Sequence, residues 1–122
     1  MKFFREAEPD IFVATGQLIT EQDGQDWVAE YDRLLARDRP LVVIAHTEDR
    51  PQPSAGKPMI LWMKARKADL GRLVKQTIYV VAEATERAEM ERALPGRAKA
   101  SPYPMAVAAS EVEAIAAARR SL

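Results

Sequence analysis

The single histidine of the chain, His46, directly follows the apolar run Leu41–Ala45. That run is rich in β-branched residues and shows no polar alternation, which is typical of a central strand covered on both faces. Open α/β sheets place their ligands beyond the carboxyl ends of such strands, and Glu48 and Asp49 stand near enough in sequence to orient a general acid or base. Catalysis requires a larger constellation, so two interpretations stay open: His46 is an exposed loop residue, or it is a binding or catalytic group.

The chain contains no motif for thiolate chemistry, zinc or calcium binding, or nucleotide binding. There is no cysteine, which excludes thiolate chemistry, and a lone histidine argues against a zinc site. The five glycines are isolated from one another, so neither a phosphate-binding loop nor a dinucleotide fingerprint can be drawn through them. Acidic spacings such as Asp23-Asp26 lack the alternating oxygen ligands and turn glycine of a calcium loop. We therefore expect a protein that is not an enzyme and that needs no cofactor and no metal.

Ser54 is the candidate regulatory phosphosite. It stands in Pro53-Ser54-Ala55-Gly56, close to the predicted amino end of the middle helix, where free N–H groups and the helix dipole favour an oxygen acceptor. A phosphate there would add about 1.5 to 2 negative charges, and Lys57 could hold it. The alternative is that Ser54 is only the N-cap of that helix.

Charge is unevenly distributed although the net charge is zero. Residues 1–50 hold six basic and eleven acidic side chains, whereas residues 51–80 hold six basic and one acidic. This basic segment is either a solvated helix face or a docking surface for an acidic partner. The candidate partner-binding residues are His46, Lys57, Lys64, Lys67 and Arg72. We expect no nucleic-acid partner, because no aromatic residue interleaves with these cations to stack bases.

The first half of the chain predicts a hairpin, a helix and a strand. Phe3-Phe4 and Ile11–Ala14 flank a Pro9-Asp10 turn, which predicts a β-hairpin. A helix over about 21–37 follows, because Thr20 and Asp23 form a variant of the capping box and because large apolar residues recur on one face. The central strand at 41–45 comes next.

The second half predicts further helices and strands in alternation. A helix with Pro58 in its first turn runs to about Leu73, and a β-branched strand follows at 77–82. Thr85 is the expected cap of a short helix that Pro95-Gly96 ends. The last strand begins after Pro104, at a sheet edge, and a capping box at Ser110–Glu113 opens a helix that ends near residue 122.

Together these elements predict an α/β sandwich with a five-stranded mixed sheet and four helices. The amino-terminal hairpin supplies the antiparallel pairing, and the last three strands are parallel. The length of 122 residues accommodates one domain, 1–122. No apolar run reaches the roughly 18 residues of a membrane span, and the absence of cysteine fits a cytoplasmic protein.

The order of elements, above all 44–73 followed by the strand at 77–81, resembles bacterial STAS-like (SpoIIAA-like) domains, the fold of the sporulation anti-sigma-factor antagonists. It is also similar to small proteobacterial STAS-like proteins in Trp62, in Pro102-Tyr103-Pro104 and in the closing run Ser110–Ala114. In this family a phosphorylatable serine stands at the start of the helix after a buried strand. Ser54 occupies that place, with Pro53 where the family has an acidic residue.

The resemblance implies a non-enzymatic regulatory or scaffolding module that acts by protein–protein contact. A weak homodimer that loosens with salt is a further expectation. Because related folds are compared with the CRAL-TRIO lipid-binding proteins, the alternative is a binder of a small apolar ligand or lipid. Trp27, Trp62, Met59 and Met63 would then line a pocket, although such a stripe is more often core packing.

Overall fold

The apolar segments of the chain form one sheet in the computed structural model, which describes all 122 residues. Its strands are β1 (Phe4–Glu8), β2 (Ile11–Ala14), β3 (Leu41–His46), β4 (Val74–Val80) and β5 (Met105–Ala108). They lie in the order β1-β2-β3-β4-β5, with β1 and β2 antiparallel and all other neighbours parallel. The expected mixed sheet is therefore confirmed, with β3 at its centre and β5 at an edge, and the parallel pairing extends to β2.

Five α-helices and one short 3-10 turn connect these strands. The helices are α1 (Glu21–Ala36), α2 (Pro53–Ala65), α3 (Lys67–Leu73), α4 (Ala84–Ala98) and α5 (Glu111–Ser121), and the 3-10 turn spans Thr47–Asp49. From β2 to β5 each connection moves one strand along in the same direction, and right-handed crossovers of this kind place their helices on one face of the sheet. The helices α1 to α4 therefore share one face, and α5 covers the other. None of them combines the length and apolar content required to cross a bilayer.

Alternation along the strands divides the core between the two faces. On the first face Leu41 and Val43 of β3 are buried with large residues of α1 and α3 such as Tyr31 and Leu70. On the second face Val42 and Ile44 pack with small residues of α5, including Ala114. Because its inner residues are alanines, α5 approaches the sheet closely, whereas the first face needs bulky aromatic side chains to fill its layer.

Several predicted starts and turns are confirmed. Asp10 completes the hairpin turn with a positive φ of 66°, a conformation that Asp tolerates better than most residues. Thr20 and Asp23 form the full capping box of α1. The predicted capping box at α5 is only half formed. Ser110 Oγ accepts a hydrogen bond from the Glu113 N–H, but the Glu113 carboxylate accepts from the Ala109 N–H at 3.2 Å and not from the Ser110 N–H.

The middle helix differs from its prediction at both ends. It begins at Pro53, so that Ser54 lies within it and Pro58 falls beyond its first turn; Pro53, not Pro58, takes the first-turn position that proline favours. It then breaks at Arg66, which has φ −104° and ψ 18°, so that five helices replace the expected four. The turn at Arg66 directs α3 straight into β4, which begins at Val74 with no intervening loop.

The segment after β4 also differs from its prediction. The strand covers 74–80 and not 77–82. Glu83, not Thr85, is the N-cap of α4, and its carboxylate accepts from Thr85 N–H and Glu86 N–H. The helix continues through Pro95 to Ala98, since a proline in the last turn removes one hydrogen bond without preventing helical backbone around it.

Candidate functional site

A cavity of about 440 Å³ lies on the first face of the sheet, over the carboxyl ends of β3 and β4. Val43 and Ala45 of β3 and Thr77 and Tyr79 of β4 form its floor, and their register places Val43 beside Thr77 and Ala45 beside Tyr79. The helices α1 and α2 border it on one side and α4 on the other. We name it the sheet-edge cavity. Its volume lies within the roughly 300–1,000 Å³ of small-molecule sites.

The α1 and α2 side of the cavity is apolar. Trp27, Tyr31, Met59 and Met63 line it, and the indole of Trp27 packs edge-on against the phenol of Tyr31 with centroids 5.1 Å apart. Methionine side chains are flexible and polarizable, so this wall can adapt to the shape of a guest. Trp62, by contrast, lies behind this wall in the core, where its Nε1 donates to Asp32 Oδ1 at 2.9 Å.

The floor of the cavity carries a buried hydroxyl that has no hydrogen-bond partner. The side chain of Thr77 is buried, and its Oγ1 has no hydrogen-bond partner. The chain has three tyrosines, and all of them, Tyr31, Tyr79 and Tyr103, line the cavity. A buried hydroxyl without a partner costs about 1–3 kcal/mol, so an acceptor or donor supplied by a guest would be favoured here.

All three phenols remain protonated over a wide pH range. Burial raises the pKa of Tyr31, and the neighbouring Tyr103 and Tyr79 raise it further. Burial also raises the pKa of Tyr79, against the opposing effects of a hydrogen bond with Tyr103 and of the Arg97 charge, and it raises the pKa of Tyr103 well above its usual value. A neutral phenol can donate its O–H to an acceptor, so these side chains offer donors inside the cavity.

Charged side chains surround the mouth of the cavity. Arg50 follows the 3-10 turn, Arg97 stands in the last turn of α4, and Asp49 of the 3-10 turn completes this rim. Arg50 and Arg97 are both exposed. Neither arginine comes within ion-pair distance of a carboxylate, whereas other arginines of the chain do, including Arg5 and Arg72.

His46 is the last residue of β3, not a loop residue, and it borders the cavity. Its Nε2 lies 3.1 Å from Glu111 Oε1 of α5, and Arg5 donates to both oxygens of the same carboxylate at 3.2 Å. The hydrogen bond from His46 has the largest effect and lowers the pKa of Glu111; burial opposes it, and the hydrogen bond from Arg5 lowers the pKa further. His46 is therefore oriented by Glu111 and not by the nearby Glu48 or Asp49.

The structure separates the remaining candidate residues from the cavity. Ser54 is an exposed residue in the first turn of α2, and Gln52, not Ser54, is the N-cap, with no side-chain capping bond. Lys57, Lys64 and Lys67 are exposed on α2 and α3. Arg72 is already occupied, because it donates to Asp38 at 2.6 Å and to Asp69 at 3.3 Å.

Sequence reasoning missed most of the residues that shape the cavity. Thr77 and Tyr79 belong to a run that was correctly interpreted as a buried strand, and nothing local distinguishes a floor position from a core position. Tyr103, Arg50 and Arg97 come from loops and helix ends. The one signal in the sequence is the stripe of Trp27, Trp62, Met59 and Met63, for which pocket lining is the alternative to core packing; all of these residues but Trp62 line the cavity.

Comparison with known proteins does not add to this description: no protein-family model, no curated protein and no solved structure matches the chain. The resemblance to STAS-like domains stays a prediction. The α/β fold itself rests on the sheet order and helix placement described above.

Proposed function

We propose that this protein binds a small, largely apolar molecule in the sheet-edge cavity and acts as a carrier or sensor of it. The observation that carries the proposal is the cavity itself, an apolar space of about 440 Å³ bounded by Trp27, Met59 and Met63. It opens at the carboxyl ends of parallel strands, where α/β proteins place their ligands. Of the two functions that the sequence left open, the geometry supports this one better.

Filling the cavity tests the proposal. Ala45 lies on its floor, so Ala45→Leu adds three carbon atoms to the space that a guest would occupy. The matched control is Ala68→Leu, on the exposed face of α3. We expect the neutral fluorescent probe N-phenyl-1-naphthylamine to bind the wild type and Ala68→Leu, and to bind Ala45→Leu at least about tenfold more weakly, which corresponds to about 1.4 kcal/mol. Equal binding by all three proteins would place the probe elsewhere and contradict the proposal.

A second candidate function is protein contact through the outer face of α2. Ile60 and Leu61 are 57% and 59% exposed, and exposed lysines, Lys57 and Lys64, flank them. An apolar centre with a cationic rim suits an acidic protein surface. A second copy of this chain is the partner that we infer, because the exposed carboxylates of α1, such as Glu21, supply the opposite charge.

Sedimentation at two ionic strengths tests this second candidate. We expect a weak dimer at tens of micromolar protein in low salt, and a shift to monomer at about 0.5 M salt because screening shortens the reach of exposed charges. Leu61→Asp would abolish the dimer, whereas Leu122→Asp, an exposed apolar residue elsewhere, would not. A monomer at low salt would contradict the proposal.

A further inference from the structure

The residues that line the sheet-edge cavity differ in chemistry, and this difference indicates the class of its ligand. Trp27, Met59 and Met63 offer apolar surface and an aromatic face. Thr77 and Tyr103 supply hydroxyls. A guest that contacted both sets of residues would be amphipathic.

The hydroxyl groups of the cavity can donate hydrogen bonds to a guest. Thr77 is only 4% exposed, and its buried Oγ1 has no hydrogen-bond partner. The phenols of Tyr79 and Tyr103 lie close enough to each other, and Tyr103 lies close enough to Thr77, for these neighbours to shift the pKa values of the two phenols. The three hydroxyls therefore form one cluster, and a carboxylate with its two acceptor oxygens would accept O–H donors from it.

Positive charge stands next to these donors. The guanidinium of Arg97 is close enough to Tyr79 to favour the phenolate form of that side chain, and Arg50 lies at the same mouth. Asp49 is the one carboxylate that also lines the cavity, so arginines outnumber carboxylates among the residues of its lining. Four glutamates line the neighbouring surface grooves with one or both arginines, and none of them forms an ion pair with Arg50 or Arg97; they are Glu48, Glu83, Glu86 and Glu89.

We propose that the sheet-edge cavity binds an amphipathic monocarboxylate, with its carboxylate at Arg97, Thr77 and Tyr103 and its apolar chain along Trp27, Met59 and Met63. This inference rests on the proposed function and names its ligand class. The volume of about 440 Å³ is that of about fifteen water-sized groups at roughly 30 Å³ each. A saturated ten-carbon acid therefore fits, and a diacyl lipid does not.

Calorimetric titration of decanoate and of 1-decanol, which have the same chain and differ in the head group, tests the inference. We expect the wild type to bind decanoate about tenfold or more tightly than 1-decanol, because a charge-assisted hydrogen bond to a carboxylate is about twice as strong as a neutral one to an alcohol. Arg97→Gln would remove this preference and leave binding of 1-decanol unchanged. Arg92→Gln, an exposed arginine of α4 that does not line the cavity, would retain it.

A second variant addresses the hydroxyl of Thr77 on the floor of the same site. Thr77→Val keeps the shape of the side chain and removes the hydroxyl, so we expect decanoate to bind several-fold more weakly and 1-decanol to bind no more weakly than to the wild type. Equal affinities for decanoate and 1-decanol in the wild type, or an unchanged preference in Arg97→Gln, would overturn the carboxylate inference while leaving the proposed function intact. Failure of decanoate, 1-decanol and N-phenyl-1-naphthylamine alike to bind would overturn both.

Discussion

Glu30 is a buried carboxylate that ties the amino terminus of the chain to α1. It is 6% exposed, and its Oε1 accepts a hydrogen bond of 2.9 Å from the backbone N–H of Phe3. Phe3 is itself fully buried, so no water can replace this acceptor. This hydrogen bond explains why an acidic residue occupies the otherwise apolar inward face of α1.

Replacing Glu30 separates its acceptor role from its packing. We expect Glu30→Ala to lower the free energy of unfolding by about 1–3 kcal/mol, because it leaves the Phe3 N–H buried without a partner. Glu30→Gln keeps an acceptor oxygen and should lose less. Urea denaturation followed by circular dichroism measures both, and an equal loss in the two variants would show that the hydrogen bond to Phe3 does not account for the effect.

Glu111 makes the stability of the protein depend on pH. Its pKa is lowered from the usual value of 4.5 by hydrogen bonds from His46 and Arg5. A group with a lower pKa in the folded state stabilises that state above its unfolded pKa, and this contribution is lost as the pH falls through the folded pKa. The window of interest therefore lies below about pH 5.

A pH series with Glu111→Gln measures this contribution. We expect the wild type to be more stable than the variant at about pH 7 and the difference to shrink steadily below about pH 4.5, as the carboxylate becomes protonated. Urea midpoints at matched pH values report the difference. A difference that stayed constant down to about pH 2 would contradict a role for the Glu111 charge.

At the scale of elements, the pairing of α1 with α2 depends on one glycine. A Cβ atom on Gly24 would stand 2.2 Å from the Ala55 carbonyl oxygen and 2.7 Å from Pro58 Cγ, so the two helices approach more closely than any side chain permits. This close approach brings Trp27 and Trp62 into edge contact with centroids 5.5 Å apart. The wall of the cavity depends on the same packing.

Two glycine-to-alanine substitutions distinguish packing from helix propensity. Gly24→Ala should destabilise the protein by about 1–3 kcal/mol, because the helices must move apart. Gly56→Ala is the matched control in α2, since nothing lies within 4 Å of its added Cβ, and it should stabilise by about 0.5–1 kcal/mol through helix propensity. Thermal unfolding compares them, and a neutral Gly24→Ala would show that the contact can relax.

For the whole molecule, stability is unevenly distributed around the sheet. The helix α1 contributes six buried residues to the core, whereas α4 contributes none and contains Pro95 near its end. Regions with few buried apolar contacts open locally at low free-energy cost. Because α4 also borders the cavity and carries Arg97, the element that would admit a ligand is the one held most weakly.

Hydrogen exchange tests this distribution. We expect the backbone amides of α4 to exchange faster than those of α1 and β3, because opening of α4 exposes little apolar surface. Bound decanoate should slow exchange in α4 and in β4, whereas α5 on the opposite face should change little. Protection of α4 equal to that of α1 would contradict this description.

The sequence by itself determined the architecture of this protein, because hairpin turns, caps and hydrophobic periodicity act over a few residues. The Pro9-Asp10 turn, the capping box at Thr20 and the apolar run of β3 each predicted an element that the structure contains. Their alternation was sufficient to predict a mixed sheet. The family resemblance and the regulatory role of Ser54 stay predictions.

Only the tertiary structure decided where the sheet-edge cavity and its polar groups lie. The break at Arg66 and the continuation of α4 through Pro95 are settled by packing and by the path of the chain into the next strand, which outweigh local preference. The sequence makes Arg72 a candidate partner-binding residue, but in the structure Arg72 donates a hydrogen bond to Asp38, which follows α1. The cavity exists because α2 and α4 cover the first face of the sheet without meeting over β3 and β4. Thr77, Tyr103 and Arg97 converge there from three segments, and no pattern within any one segment encodes that convergence.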